Sequence, residues 1–250
     1  MGADPRPVAV VTGAYGSIGQ ETVACLSGRG VDIVTVDHKP LPDPTARLVT
    51  RPLTVDLLDD AATQRAYATI ADLPAVHHLV AIAGGGDAEE LSQADPATES
   101  LEIFTRVVAA NLHIAFVAIR HTVPLLRRAA GDRSITLVSS INAFGGYGAP
   151  GYSAAKAGLH GLVRALAPPL GQDGIRINGL APGTVDTENL RHLADVRGVP
   201  VGIEALAAKA PLRRVLAAAD VAAALTAMAL DMRGLTGAIV TLDNGQTLIR

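Results

Sequence analysis

The 250-residue chain has one cysteine, Cys25, so no disulfide can close within it and no Cys-rich zinc site can be built. That usage fits a reducing cytosol, and we expect a cytoplasmic protein. Lysine is nearly as scarce: of 21 basic residues only Lys39, Lys156 and Lys209 are lysines. With an Ala-rich composition, this points to a GC-rich bacterial gene. A net charge of −3 gives no electrostatic reason to expect nucleic acid or an anionic membrane. The start, MGADPRPVAVV, lacks the basic region and long apolar core of a signal peptide. Arg6 stands where a myristoylation signal wants Ser or Thr. No apolar run approaches the roughly 18 residues that would cross a bilayer. Nor is there a linker, repeat or low-complexity tract, so residues 1–250 read as one domain.

What the chain does have is alternation. Short apolar runs at Val8–Val11, Ile33–Val36, Leu48–Val55, Leu79–Ile82, Ile135–Val138, Ile175–Ile177 and Ala238–Leu242 read as strands. Most are apolar almost throughout, as strands covered on both faces of a parallel sheet should be. Helical patterns lie between them, near 18–27, 58–71, 97–128, 152–166 and 219–232. Asp56 and Asp220 stand near two helix starts, where a carboxylate caps or opposes the dipole. Strands alternating with helices predict an α/β fold of right-handed βαβ units, with ligands at the carboxyl ends of the strands. Thr184–Ala210 has weak strand character and is expected to act as a lid over a ligand.

The stretch TGAYGSIG, Thr12–Gly19, joins the first strand to the first helix. Its glycines, Gly13, Gly16 and Gly19, would allow a sharp turn, close approach of a pyrophosphate and tight helix packing. No Lys-Ser or Lys-Thr follows, so a P-loop is excluded. Asp37 ends the second strand 18 residues after Gly19, near the roughly 20 at which an acid meets the adenosine ribose. An acid there accepts from a free 2′-hydroxyl and repels a 2′-phosphate, so NAD(H) is expected. His38 and Lys39 beside it would still tolerate NADP. Farther on, GYSAAKAG puts Tyr152 and Lys156 on one helix face. An ammonium beside a phenol favours the phenolate, the form a proton acceptor needs.

TGAYGSIG, Asp37, Asn111, Ser139-Ser140, Tyr152-Ser-Ala-Ala-Lys156 and APGTVDT, in this order from Val8 to about Gly245, resemble the short-chain dehydrogenase/reductase family. The resemblance implies a Rossmann-type, doubly wound, seven-stranded parallel sheet with helices on both faces. It implies an NAD(P)-dependent enzyme that passes a hydride between the nicotinamide and a secondary alcohol or ketone. Tyr152 would be the acid/base, Lys156 would lower its pKa and hold the nicotinamide ribose, and Asn111 would hold a relay water. One serine would bind the substrate oxygen; the strand-end pattern favours Ser140 and the spacing to the tyrosine favours Ser139, and Ser140 is the choice. Cofactor contacts would fall on Gly13, Tyr15, Gly16, Ser17, Ile18, Gly19, Asp37, Asp56, Leu57, Ala83 and Gly84. Asn111, Tyr152, Lys156, Pro182, Gly183, Val185 and Thr187 complete that set.

Two departures from the family stand out. Ala81-Ile82-Ala83-Gly84 replaces Asn-Asn-Ala-Gly and removes two polar side chains. Pro168-Pro169 should end or kink the helix after Lys156. The resemblance implies a homodimer or homotetramer through helices matching 97–128 and 152–166, and Pro168-Pro169 bears on that packing. Ile141, Phe144, Tyr147, Val185 and Leu190 are the candidate pocket lining, with Arg191 and His192 at the rim. Apolar walls favour a cyclic or bulky uncharged substrate over a short 2-oxo acid, which would need a fixed cation such as Arg191. His77-His78 has no further residue at metal-ligand spacing, so no metal is expected, and acid-rich Ala83–Leu91 reads as a solvated loop. No Gly-x-Ser-x-Gly elbow is present, which argues against a serine hydrolase. The rival reading is a catalytically silent NAD(P)-binding sensor or scaffold.

Overall fold

The computed structural model describes residues 6–248 apart from 74, 146, 147 and 199. In chain order its strands are β1 (Val8–Thr12), β2 (Asp32–Asp37), β3 (Arg51–Thr54), β4 (His78–Ala81), β5 (Arg133–Val138), β6 (Ile175–Pro182), β7 (Val185–Asp186), β8 (Leu216–Ala217) and β9 (Ile239–Leu242). Seven of them form one parallel sheet in the order β3-β2-β1-β4-β5-β6-β9. β1 connects to β2 on one side and has β4 on the other, so the strand order reverses there. The reversal opens a crevice at the carboxyl ends of β1 and β4.

Both faces of the sheet are covered, which is why its strands are apolar without alternation. Along β1, Val8 and Val10 enter one core, whereas Ala9 and Val11 enter the other. The first core takes α3 (Asp60–Ala68), α6 (Ile114–Leu126) and α7 (Pro150–Gln172) through Tyr67, Ile119, Leu126, Leu159 and Val163. The second takes α1 (Ser17–Gly28) and α10 (Ala218–Leu230) through Val23, Leu26, Val221, Leu225 and Met228. α2 (Asp43–Ala46), α4 (Ala88–Leu91), α5 (Leu101–Val108), α8 (Glu188–Val196) and α9 (Ile203–Ala208) complete the α-helices.

Several boundaries differ from those the sequence suggests. α3 starts at Asp60 because Asp59, not Asp56, caps it: its carboxylate accepts the Ala62 amide at 2.8 Å. The pattern at 97–128 becomes a helix from Leu101, where the Ser100 hydroxyl accepts the Ile103 amide at 3.2 Å. α5 and α6 then run together through a wide π turn, Ala109–His113. By length and composition the combined Leu101–Leu126 could cross a bilayer, contrary to the reading of the apolar runs. Here Ile103, Val107, Ile114 and Ala118 are buried, while Arg106 and Arg120 pair with acids on its exposed side.

Pro168-Pro169 does not end α7, which runs on to Gln172. Both prolines are exposed, as are Arg164 and Ala165, whose carbonyls lose their amide partners. Water can satisfy those carbonyls, and buried Leu170 anchors the last turn. The 184–210 segment holds α8 and α9, and β7 in its first residues pairs with β8.

Candidate active site

The turn after β1 is held by close packing. Gly13 has φ +64°, and a Cβ there would stand 2.7 Å from the Ala83 main chain in the turn after β4. A Cβ on Gly19 would collide with the Gly13 carbonyl. Gly16, the N-cap of α1, offers no side chain to the first-turn amides, and no acid lies in that turn. The helix therefore presents open N–H donors and the positive end of its dipole to the crevice. These features fit a pyrophosphate, and they front a groove of about 970 Å³.

Asp37, at the end of β2, lines that groove and is 7% exposed. Its two oxygens accept the Tyr15 and Lys39 amides, each at 3.0 Å, so it also fixes the glycine turn. Tyr15, expected to meet the cofactor, turns its ring away: it is buried, and its hydroxyl bonds Thr35 Oγ1 at 2.7 Å. Asp56 and Leu57 line the groove, as do Ser17, Ile18, Pro182, Gly183, Val185 and Thr187. Thr187 caps α8 by accepting the Leu190 amide at 3.2 Å.

The polar brace missing from Ala81–Gly84 comes from elsewhere. The Ala83 amide donates to Thr12 Oγ1 at 3.3 Å, and the Gly85 amide to Asn111 Oδ1 at 2.9 Å. Asn111 spends both amide protons on the Gly85 and Val107 carbonyls, each at 3.0 Å. Gly84, at φ +126°, must lack a side chain because a Cβ would lie 2.7 Å from Asn111 Oδ1.

Ser139 and Ser140 point to different tasks. Ser139 is buried and donates to the Lys156 carbonyl at 3.1 Å, which leaves its oxygen to accept from His160 Nε2–H at 2.8 Å. Ser140 lines the open space beside Tyr152. Lys156 Nζ donates to the Val138 carbonyl at 3.0 Å and lies 5.4 Å from the Tyr152 ring centroid. Burial pushes Tyr152 up to about 12, opposed by Ser140 and reinforced by Glu90. Burial pushes Lys156 down to about 8. Desolvation therefore leaves the tyrosine raised, where its lysine was expected to lower it.

A second hollow, about 590 Å³, adjoins the groove and shares Ser140, Tyr152, Gly86, Gly183, Val185, Thr187 and Asn189 with it. Ile141, Val185 and Leu190 line it as expected, joined by Leu91, Leu193 and Leu206. Phe144 does not: it is half-exposed and packs on the His160 ring at 4.9 Å. Tyr147 lies outside the described residues. His192 faces the first groove, while Arg191 is exposed and paired with Asp186 at 2.8 Å, so it is not a free carboxylate anchor.

Sequence reasoning missed Glu90 and Lys209, both of which line the second hollow. Glu90 sits in the stretch read as a solvated loop, yet it is 3% exposed and accepts the Tyr152 amide at 3.0 Å. Only its place in an acidic run was visible beforehand. His77 and His78 serve the sheet: His77 Nδ1 accepts the Val8 amide, and buried His78 bonds Ser134.

The fold and this site define a nicotinamide-type oxidoreductase. The family model described as "Enoyl-(Acyl carrier protein) reductase" matches residues 13–247. The chain belongs to the short-chain dehydrogenase/reductase family, whose members bind NAD(P), and it is an enzyme acting as a dehydrogenase or reductase on alcohol substrates. It is 34% identical to cis-4-hydroxycyclohexanecarboxylate dehydrogenase of Sinomonas cyclohexanicum, over 97% of each chain. A short-chain dehydrogenase/reductase family oxidoreductase from Burkholderia thailandensis superposes with TM-score 0.84 at 31% identity, covering 98% of this chain and 94% of that one. Carveol dehydrogenase from Mycobacterium avium, in complex with NAD, shares the fold at TM-score 0.87 and 24% identity, over 100% of both chains.

Proposed function

We propose that the chain is an NAD(H)-preferring dehydrogenase that interconverts a ring-bearing or bulky secondary alcohol and its ketone. One observation carries this reading: Ser140 and Tyr152 line both hollows, at the seam where a cofactor in the glycine-rich groove would meet a substrate in the apolar one. NAD(P) bound in the groove supplies the hydride acceptor or donor. In oxidation the carbinol carbon gives up a hydride toward the groove and the hydroxyl gives its proton to ionised Tyr152, leaving the ketone. Ser140 donates to the substrate oxygen and fixes its distance from Tyr152. Lys156, buried beneath the tyrosine ring, supplies the cation that favours the phenolate. Asn111 holds the Gly84-Gly85 turn and the helix behind it in register. A relay water from Lys156 past Asn111 would have only the second lone pair of Oδ1 to bind on that side chain.

Asp37 supports NAD(H) over NADP(H), because a carboxylate at the ribose end of the groove repels a 2′-phosphate. The leucines and the isoleucine that line the second hollow support a ring, as in the substrate named for the Sinomonas relative. Leu91, Ile141, Leu190 and Leu193 offer no ionic partner, which supports a cyclic or bulky uncharged substrate. Residues 1–250 act as one catalytic unit with 184–210 as its lid, in a bacterial cytoplasm and as a homodimer or homotetramer. The test is oxidation of cyclohexanol and larger ring alcohols by the purified chain, followed at the nicotinamide absorbance with NAD or NADP. Cofactor binding without turnover of any alcohol or ketone would instead identify a silent sensor or scaffold.

A further inference from the structure

Resting on the dehydrogenase reading above, we propose that Glu90 is a positioning residue for the proton transfer. It fixes the start of α7 under Tyr152, and its charge keeps the phenol a proton donor at neutral pH. The tie between the two residues is direct. Glu90 Oε1 accepts the Tyr152 main-chain amide at 3.0 Å, which puts the carboxylate within about one tyrosine side chain of the phenolic oxygen. Glu90 also lines the hollow that Ser140 and Tyr152 share.

A helix cap alone does not explain an acid at this place. One acceptor oxygen is enough to cap, and a glutamine would supply it without a charge. Glu90 is buried, and its Oε2 has no hydrogen-bond partner among the described residues. An unpaired buried carboxylate oxygen is costly, so it points to a task beyond packing. Arg106 of α5 does not answer it, being paired with Asp87 at 3.2 Å and Glu89 at 2.7 Å. Glu99, just ahead of α5, has both carboxylate oxygens buried and unpartnered as well. Burial pushes Glu90 up and Glu99 and Asp87 add to this, while the Tyr152 and Gly151 amides favour its ionised form.

Tyr152 therefore stands between opposite charges. Lys156 Nζ, 5.4 Å from the ring centroid, favours the phenolate. Burial is the main cause that raises the tyrosine, with Ser140 acting against it and Glu90 adding to it. The titratable groups that the lid brings, Glu188 and His192 on α8 and Lys209 on α9, are exposed and screened by water. Glu90 and Lys156 are buried, so their fields reach the phenol with little screening. A protonated phenol suits reduction. The carbonyl carbon takes a hydride from the bound cofactor, its oxygen takes the Tyr152 proton, and the phenolate regains a proton from water. Oxidation needs the phenolate and gains rate as pH rises.

The experiment follows kcat/KM against pH for cyclohexanone reduction and cyclohexanol oxidation, in wild type, Glu90→Gln and Glu90→Ala. Glutamine keeps the acceptor oxygen and removes the charge. For Glu90→Gln we expect the alkaline fall of reduction and the alkaline rise of oxidation to move down together, by about 0.5–1 on the pH scale. Glu90→Ala should show the same displacement with a lower kcat, because the clamp is lost too. Glu90→Gln profiles that stay in place or move up, whatever their height, overturn the proposal and leave Glu90 a cap only. If wild type turns over no ring alcohol or ketone, the dehydrogenase reading fails by itself. Phenolate absorbance, taken as the difference from Tyr152→Phe in each background, then decides for Glu90. An onset at lower pH in Glu90→Gln supports the role of the charge, and an unmoved onset overturns it.

Discussion

Glu90 Oε1 accepts the Tyr152 main-chain amide at 3.0 Å, so a carboxyl from α4 caps the helix that carries the tyrosine. α7 cannot cap itself, because its N-cap is Ala149. Gly151 makes room: a Cβ there would lie 2.7 Å from Glu90 Oε1. Loss of a helix cap costs about 0.5–2 kcal/mol. Glu90→Ala should therefore lower stability by about that much in urea unfolding. Gly151→Ala should lower turnover as well, by displacing the carboxyl and tilting Tyr152. An unchanged urea midpoint for Glu90→Ala would remove the cap from the account.

Tyr152→Phe keeps the ring and removes the exchangeable proton. Turnover should fall by about 10²-fold or more, on the scale of general acid–base catalysis, with little change in NADH affinity by fluorescence titration. Near-normal activity of this variant would sink the mechanism.

Burial of Lys156 makes it a stability cost that activity requires. Its ordinary value, 10.5, is lowered to about 8, so between those values the unfolded chain holds more protons. Its contribution therefore rises with pH across that window and is least favourable below it. Tyr152 is raised from 10.0 to about 12, so its contribution falls as pH rises through that interval. The urea midpoint of the cofactor-free chain should climb from pH 8 toward 10 and then decline. Lys156→Met should stabilise the chain at pH 7 by about 1–3 kcal/mol while abolishing turnover. A destabilised, active Met variant would contradict both statements.

Asp37→Ala removes the acid that we propose faces the cofactor ribose, and also the acceptor for the Tyr15 amide. The ratio of kcat/KM with NAD to that with NADP should drop by about tenfold or more, on the scale of one charged hydrogen bond. NAD itself should bind less well, because the glycine turn loosens. Equal use of both cofactors by wild type would show that Lys39 or His38 governs the choice.

Phe116 is 46% exposed on α6, within the helical stretch that the family resemblance assigns to subunit contact. Light scattering at micromolar concentration should give a dimer or tetramer, and Phe116→Arg should shift it toward smaller species. A wild-type monomer would remove the oligomer from the proposal.

What the sequence determined by itself is local. Strands covered on both faces must be apolar in both phases, so Val8–Val11 and Ile135–Val138 announced themselves. Gly13 and Gly19 were legible because a turn without room for side chains writes glycine into the chain. Tyr152 and Lys156 were legible because helical spacing puts positions four apart on one face. Tertiary structure decided whatever depends on partners distant in sequence. Glu90 looked like one more acid in a polar loop until folding placed it against an amide 62 residues away. Phe144 had the right chemistry for a pocket and the wrong direction, and Arg191 had the right charge but was claimed by Asp186. Pro168-Pro169 broke no helix because exposure, which no local rule supplies, let water take over the missing hydrogen bonds.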